Sequence, residues 1–159
     1  MAHIQFRRFA VACPFFVPTE KMEDGLWLHP SRLPLGAGWR GHCSVSGHEN
    51  TDLSDQELAD GCNLGYASRC SRLPKERPCD AVRFSIARDR GSCIALWFVR
   101  EASHHPIEHG ILEYEIGERR WTSVHTDSRV QKMAECYMES YLLRRIPPAP
   151  AGPDPSTHS

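Results

Sequence analysis

The chain has 159 residues and a mass of 18.0 kDa, enough for one domain with a single core and too little for two ordinary ones. Its 19 basic and 20 acidic side chains are evenly spread, 9 against 10 over residues 1–80 and 10 against 10 over 81–159. That balance argues against the basic face or tail of a nucleic-acid binder, and no apolar run approaches the roughly 20 residues that cross a bilayer.

At the start of the chain, Arg7-Arg8 and the short apolar run ending Ala10-Val11-Ala12-Cys13 imitate an export signal. The run is too short for one, and Pro14 and Pro18 break the chain just beyond it, so a reducing cytoplasm is the expected compartment. Residues 10–80 are rich in Pro, Gly and Cys and show little periodicity. One helix signal stands out there. Ser54-Asp55-Gln56-Glu57 fits a capping box, and Gly61 and Gly65 bound a helix over roughly 55–62 with Cys62 at its end. Leu26, Trp27, Leu28, Leu33, Leu35, Trp39, Leu64 and Tyr66 make the segment too apolar to be disordered. It therefore calls for something to bind and fold around.

From residue 81 the pattern becomes regular. Val82, Phe84 and Ile86 alternate with Arg83, Ser85 and Ala87, as in a half-buried strand, and Asp89-Arg90-Gly91 marks a turn. Cys93–Val99 is apolar on both faces and predicts a central strand covered on both sides. Residues 101–110 are expected to connect it to a strand carrying Leu112, Tyr114 and Ile116, and Gly117-Glu118 turns the chain into a last strand at Arg120–Val124. Together these predict a four-stranded antiparallel meander. A C-terminal helix comes next, capped by Thr126 or Asp127, with Val130, Met133, Ala134, Tyr137 and Tyr141 on one stripe facing the sheet. Arg144-Arg145 and Pro147-Pro148 close it. The organisation predicted is one domain over 1–146, with 1–80 as the Cys-rich cofactor-binding part, and a disordered Pro-rich tail over 147–159.

Seven cysteines are the compositional anomaly. They fall well below the roughly 8–10% of a disulfide scaffold, and in a reducing compartment several thiols in one small domain suggest metal ligation. Cys13, Cys43, Cys62 and Cys70 all lie in the irregular half, 30, 19 and 8 residues apart. Cys13-Pro14 resembles the Cys-Pro that ends the cluster-binding run of bacterial ferredoxins, a likeness confined to two residues. Zinc ribbons grip their ion with Cys-x₂₋₄-Cys knuckles, and no Cys-x-x-Cys occurs in this chain. Widely spaced single cysteines suit a 4Fe–4S cubane, whose irons can be reached from separate loops. Packing explains Cys93 and Cys136 best, whereas Cys79, or His48 in a Cys43-x₄-His48 half-site, could stand in for one of the four ligands.

Other motifs carry less. Gly36-Ala37-Gly38-Trp39-Arg40-Gly41 fits G-x-G-x-x-G, but Pro34 stands where a strand should end and no helix start comes after it, so its glycines are expected to let the backbone bend closely around Cys43. His42-Cys43 lacks the third group of a nucleophilic site. Trp27, Trp39 and Tyr66 either shield a centre from water or form an aromatic mini-core. His104, His105 and His109, with Glu108 beside them, are expected in one loop that could hold a metal.

The sequence thus predicts an α+β protein: a Cys-rich irregular N-terminal metal-binding segment, a four-stranded meander and a C-terminal amphipathic helix packed on the sheet. Its expected chemistry is that of a small iron–sulfur protein with Cys13, Cys43, Cys62 and Cys70 as ligands and no catalytic residue. Electron transfer, which implies a redox partner protein, redox sensing and structural support all suit such a centre. The alternatives are a zinc-stabilised interaction module and a small metalloenzyme built on the His104/His105/His109 loop.

Overall fold

The computed structural model describes residues 11–23, 29–64 and 70–145. The expected tail, Trp27, Tyr66 and the leader-like residues 1–10 lie outside them. Four strands, β3 (Ala81–Asp89), β4 (Cys93–Ala102), β5 (His105–Glu115) and β6 (Arg120–Ser123), form one antiparallel sheet in chain order. This is the predicted meander. The β3–β4 turn holds Gly91 at φ 86, and Asp89 accepts the Gly91 N–H at 2.8 Å. Gly117 does not take the left-handed position in the β5–β6 turn; Arg119 does, at φ 53.

The connection expected over 101–110 is a two-residue hairpin instead. Ser103 and His104 both adopt positive φ, 50 and 65, the geometry that matches strand twist in the tightest hairpins. Asp80 steadies the turn by accepting the Ser103 N–H at 2.8 Å. His105 and His109 consequently lie in β5, opposite Ala102 and Val99. The sequence hides this turn because neither residue is glycine or asparagine.

Inner-face residues Val82, Phe84, Ile94, Leu96, Phe98 and Leu112 are buried together with Val130, Met133 and Ala134 of the C-terminal helix α2 (Ser128–Arg144). Asp127 caps α2 through the Arg129 N–H, as predicted. β4 lies between β3 and β5, but its outer face is only partly covered: Ala95 and Val99 are buried while Trp97 is 37% exposed. Among the described residues no helix is long and apolar enough to cross a membrane.

The N-terminal half is less irregular than its sequence suggests. β1 (Phe16–Lys21) pairs antiparallel with β2 (Trp39–Cys43), with a register shift after Pro18. Proline and glycine disguise this ribbon, since Pro18 faces Gly41 across the pair. A Cβ on Gly41 would sit 2.0 Å from the Val17 carbonyl oxygen, and a Cβ on Gly36, held at φ 74, 2.8 Å from Cβ of Ser140 on α2. Gly36 and Gly41 thus serve close approaches to α2 and to β1 rather than a bend around Cys43. Gly41→Ala is expected to cost about 3 kcal/mol by forcing the ribbon apart, read as a lower urea midpoint.

The ribbon joins the meander through Ala12, which exchanges both backbone hydrogen bonds with Val82 at 2.7 and 2.9 Å. After β2 comes α1 (Asp55–Glu57), continued by a π-helical turn over Leu58–Cys62. The capping box forms as the sequence predicts: Ser54 Oγ accepts the Glu57 N–H at 3.1 Å, and Glu57 Oε1 accepts the Ser54 N–H at 3.2 Å.

Candidate metal centre

Cys13, Cys43, Cys62 and Cys70 come from four different pieces of this half. Cys13 precedes β1, Cys43 ends β2, Cys62 ends the π-turn and Cys70 lies in a later loop. All four line one cavity of about 490 Å³. Phe16, Leu53, Leu64 and Leu73 supply its apolar wall, and Gln56, Glu57, Ser71 and Arg72 its polar part. Cys13 and Cys43 are buried, and Cys62 and Cys70 half-buried.

Local structure aims these side chains. Pro14 has no N–H, and the chain turns there so that Phe16 N–H returns to the Cys13 carbonyl at 3.2 Å. The Phe15 and Phe16 amides favour the Cys13 thiolate, against the larger effect of burial. The Cys43 sulfur accepts the Val45 N–H at 3.4 Å. Such amides favour a thiolate and are a principal means by which proteins tune sulfur-ligated metals. Cys13 N–H donates to the Cys62 carbonyl at 3.3 Å, tying two of the four segments together.

Asn63 completes the scaffold, and composition and spacing do not mark it. Only 1% exposed, it accepts the Trp39 N–H at 3.0 Å through Oδ1 and donates through Nδ2 to the carbonyls of Trp39 at 2.9 Å and Leu58 at 2.8 Å. Its own N–H closes the π-turn onto Leu58 at 2.9 Å. This one amide therefore fixes the turn bearing Cys62 against the strand bearing Cys43. A polar residue directly after a helix-end cysteine is its only trace in the sequence.

Burial dominates the electrostatics of the thiols. It pushes Cys13 up to about 12, with Cys43 and Cys70 adding like-charge repulsion. Cys62 is likewise raised to about 12, first by burial and then by Cys13, Cys43 and Cys70. The four sulfurs sense one another, so a bare cavity keeps Cys13 and Cys62 protonated, and a bound cation would reverse that preference.

Among the described residues no three His, Cys, Asp or Glu side chains stand close enough to grip a single metal ion. A tetrahedral zinc with bonds of about 2.3 Å draws its sulfurs to about 3.8 Å from one another. The four thiols thus share a cavity without converging on one point.

The remaining candidates lie elsewhere. Cys79 is buried, but its neighbours are Arg100, Arg129 and Asp127, and it does not line the cavity. His48 does not line it either; its N–H bonds the Val45 carbonyl at 2.9 Å. Cys136 faces the core from α2, as packing predicts, and Cys93 opens β4 half-buried. Trp39 belongs to the core, its indole N–H donating to the Leu35 carbonyl at 3.3 Å.

The histidines are dispersed rather than gathered in a loop. His109 stacks on Trp97 with centroids 5.3 Å apart. Glu108 turns to the inner face, where it bonds His125 Nε2 at 2.8 Å and Arg100 at 3.3 Å. The His125 contact is the main reason the Glu108 carboxyl is held below its usual range. His125 Nδ1 accepts the Asp127 N–H at 2.9 Å, which makes this group a brace between β5 and the start of α2.

Compared with protein-family models, curated proteins and solved structures, the chain matches none, so the reading of this cavity rests on its own residues.

Proposed function

We propose that this is a small iron–sulfur protein that holds a 4Fe–4S cluster on Cys13, Cys43, Cys62 and Cys70, with a one-electron redox role in a reducing cytoplasm and a partner protein as its electron donor or acceptor. The observation that carries the reading is that four cysteines widely separated in sequence line a single cavity. Two further features support it. A backbone amide bonds the Cys43 sulfur, and the amides after Cys13 favour its thiolate. Apolar side chains wall the cavity, and a shielded environment of this kind is one that lets a protein set a cluster's potential.

Anaerobic purification of the full chain tests the proposal. The expected product is brown, carries iron and acid-labile sulfide in a ratio near one, and loses both in Cys43→Ala and Cys62→Ala but not in Cys136→Ser. Cys62→Ala should also lower the melting temperature more than Cys136→Ser does, because binding energy at such a centre is folding energy. A colourless protein with one zinc would replace this reading with the zinc-stabilised module. Protein without metal under these conditions would overturn both.

A further inference from the structure

The four cysteines are not held alike. Cys13 is 7% exposed, and its N–H is bonded to Cys62 beside the Ala12–Val82 bridge. Cys43 is 9% exposed and paired with Phe16 in the ribbon. Cys62 closes a helical turn whose next residue, Asn63, makes three buried side-chain hydrogen bonds. Each of these three is therefore fixed by backbone structure.

Cys70 is half-buried and belongs to no strand or helix. Among the described residues, its arm is held by a 3.4 Å bond within itself, from Leu73 N–H to the Cys70 carbonyl, by Leu73 packed on the core, by Arg77, which donates to the Pro74 carbonyl at 2.9 Å, and by an ion pair between side chains. The ion pair joins Arg72 to Glu57, the residue locked in the capping box of α1. Arg72 and Glu57 both line the cavity, so the pair clasps the Cys70 arm to the helix that leads to Cys62.

Resting on the cluster reading, we infer that the centre is a three-plus-one site: Cys13, Cys43 and Cys62 form a permanent cradle, and Cys70, clasped by Arg72 and Glu57, is the ligand released when the cluster is oxidised. A [4Fe–4S]²⁺ cluster gives one electron to a one-electron oxidant, and the iron bound to Cys70 leaves as Fe²⁺. The cluster left on the three fixed thiolates is [3Fe–4S]⁺, and the freed Cys70 thiolate takes up a proton. Such a site senses oxidant through the freedom of one arm, a regulatory use that four equally anchored ligands would not serve.

The experiment uses the full chain loaded with cluster and titrated anaerobically with ferricyanide, which is reduced to ferrocyanide. Released Fe²⁺ is followed with a colorimetric chelator and the cluster by electron paramagnetic resonance. The wild type should release one iron per cluster and develop a 3Fe–4S signal. Cys70→Ala should purify with that three-iron centre already in place, whereas Cys13→Ala, Cys43→Ala and Cys62→Ala should hold none. Arg72→Gln, which keeps all four thiols, should lose its first iron about fivefold faster, the scale of a partly exposed ion pair. Arg72→Lys, which keeps a cation opposite Glu57 and leaves the capping box intact, should keep the slow rate.

Loss of all iron in one step from the wild type would overturn the three-plus-one arrangement while leaving the cluster reading intact. So would an Arg72→Gln rate equal to wild type. Wild-type protein that never takes up iron would remove both.

Discussion

Asn63→Ala is expected to destabilise the protein by about 3–5 kcal/mol, and to abolish loading of the proposed centre even though no cysteine is changed. The alanine removes the acceptor for the Trp39 N–H and the donor for the Trp39 carbonyl, both inside the protein. The Leu58 carbonyl keeps the Asn63 N–H and loses only one of its two partners. A buried polar group left without a partner costs about 1–3 kcal/mol, so two such groups plus the cavity left by the side chain reach the stated range. Asn63→Asp is expected to be at least as damaging, because it keeps the acceptor and points a negative charge at two carbonyl oxygens. Urea unfolding gives the stability, and iron and sulfide analysis gives the occupancy. A variant with wild-type stability would show that β2 and the π-turn do not depend on this amide. Full stability with lost iron would confine Asn63 to positioning Cys62.

Asn63 also marks where sequence reasoning stops. The meander is legible because its strands alternate and its core comes from neighbouring segments. The capping box at Ser54 and Glu57 and the cap at Asp127 are legible because each is a local exchange between a side chain and backbone three residues away or fewer. The ribbon β1–β2 is not. Its strands are about twenty residues apart, and Pro18 and Gly41, the residues that normally argue against a strand, face each other where a close backbone approach needs them. The Ser103-His104 turn escapes detection for a related reason: positive φ is imposed there by the pairing of β4 and β5, not by residue type.

The cysteines fall between these cases. That Cys13, Cys43, Cys62 and Cys70 share a segment short of apolar periodicity is visible in the sequence; that they line one cavity is a matter of the fold. That Cys79 is not among them requires three dimensions, since only the paired strands carry it to Arg100 on the inner face of the sheet. Likewise, the unequal anchoring of Cys70 is invisible in a spacing, because it depends on which backbone groups each neighbour bonds.

The pH dependence of stability should have opposite consequences with and without a bound centre, and the effect is large. In the metal-free protein, Cys13, Cys62 and Cys136 are each raised from 9.0 to about 12, chiefly by burial. Above pH 9 the unfolded chain releases these protons before the folded one does. The folded state then binds more protons, and stability must fall as pH rises through the interval from 9 to about 12. Each group contributes up to about 1.4 kcal/mol per pH unit and about half that at pH 9 itself, so the three together remove about 5 kcal/mol between pH 9 and 10.5. That is comparable with the whole stability of an ordinary domain, and metal-free protein is expected to unfold in this range. On the proposed ligation Cys13 and Cys62 are thiolates in the loaded folded state and drop out of the alkaline limb, which is then carried by Cys136 and Cys79, both raised by burial, and at higher pH by Tyr137 and Tyr141. Loading itself should strengthen as pH rises toward 9, because up to four protons leave when four thiols become ligands. Chemical denaturation at half-unit pH steps, on metal-free and loaded protein in parallel, measures both limbs. Removing Cys136 with Cys136→Ala should reduce the slope in both forms, and by the larger fraction in the loaded form. Equal alkaline slopes for the two forms would mean that Cys13 and Cys62 keep their protons when metal is bound, which no thiolate-ligated centre allows.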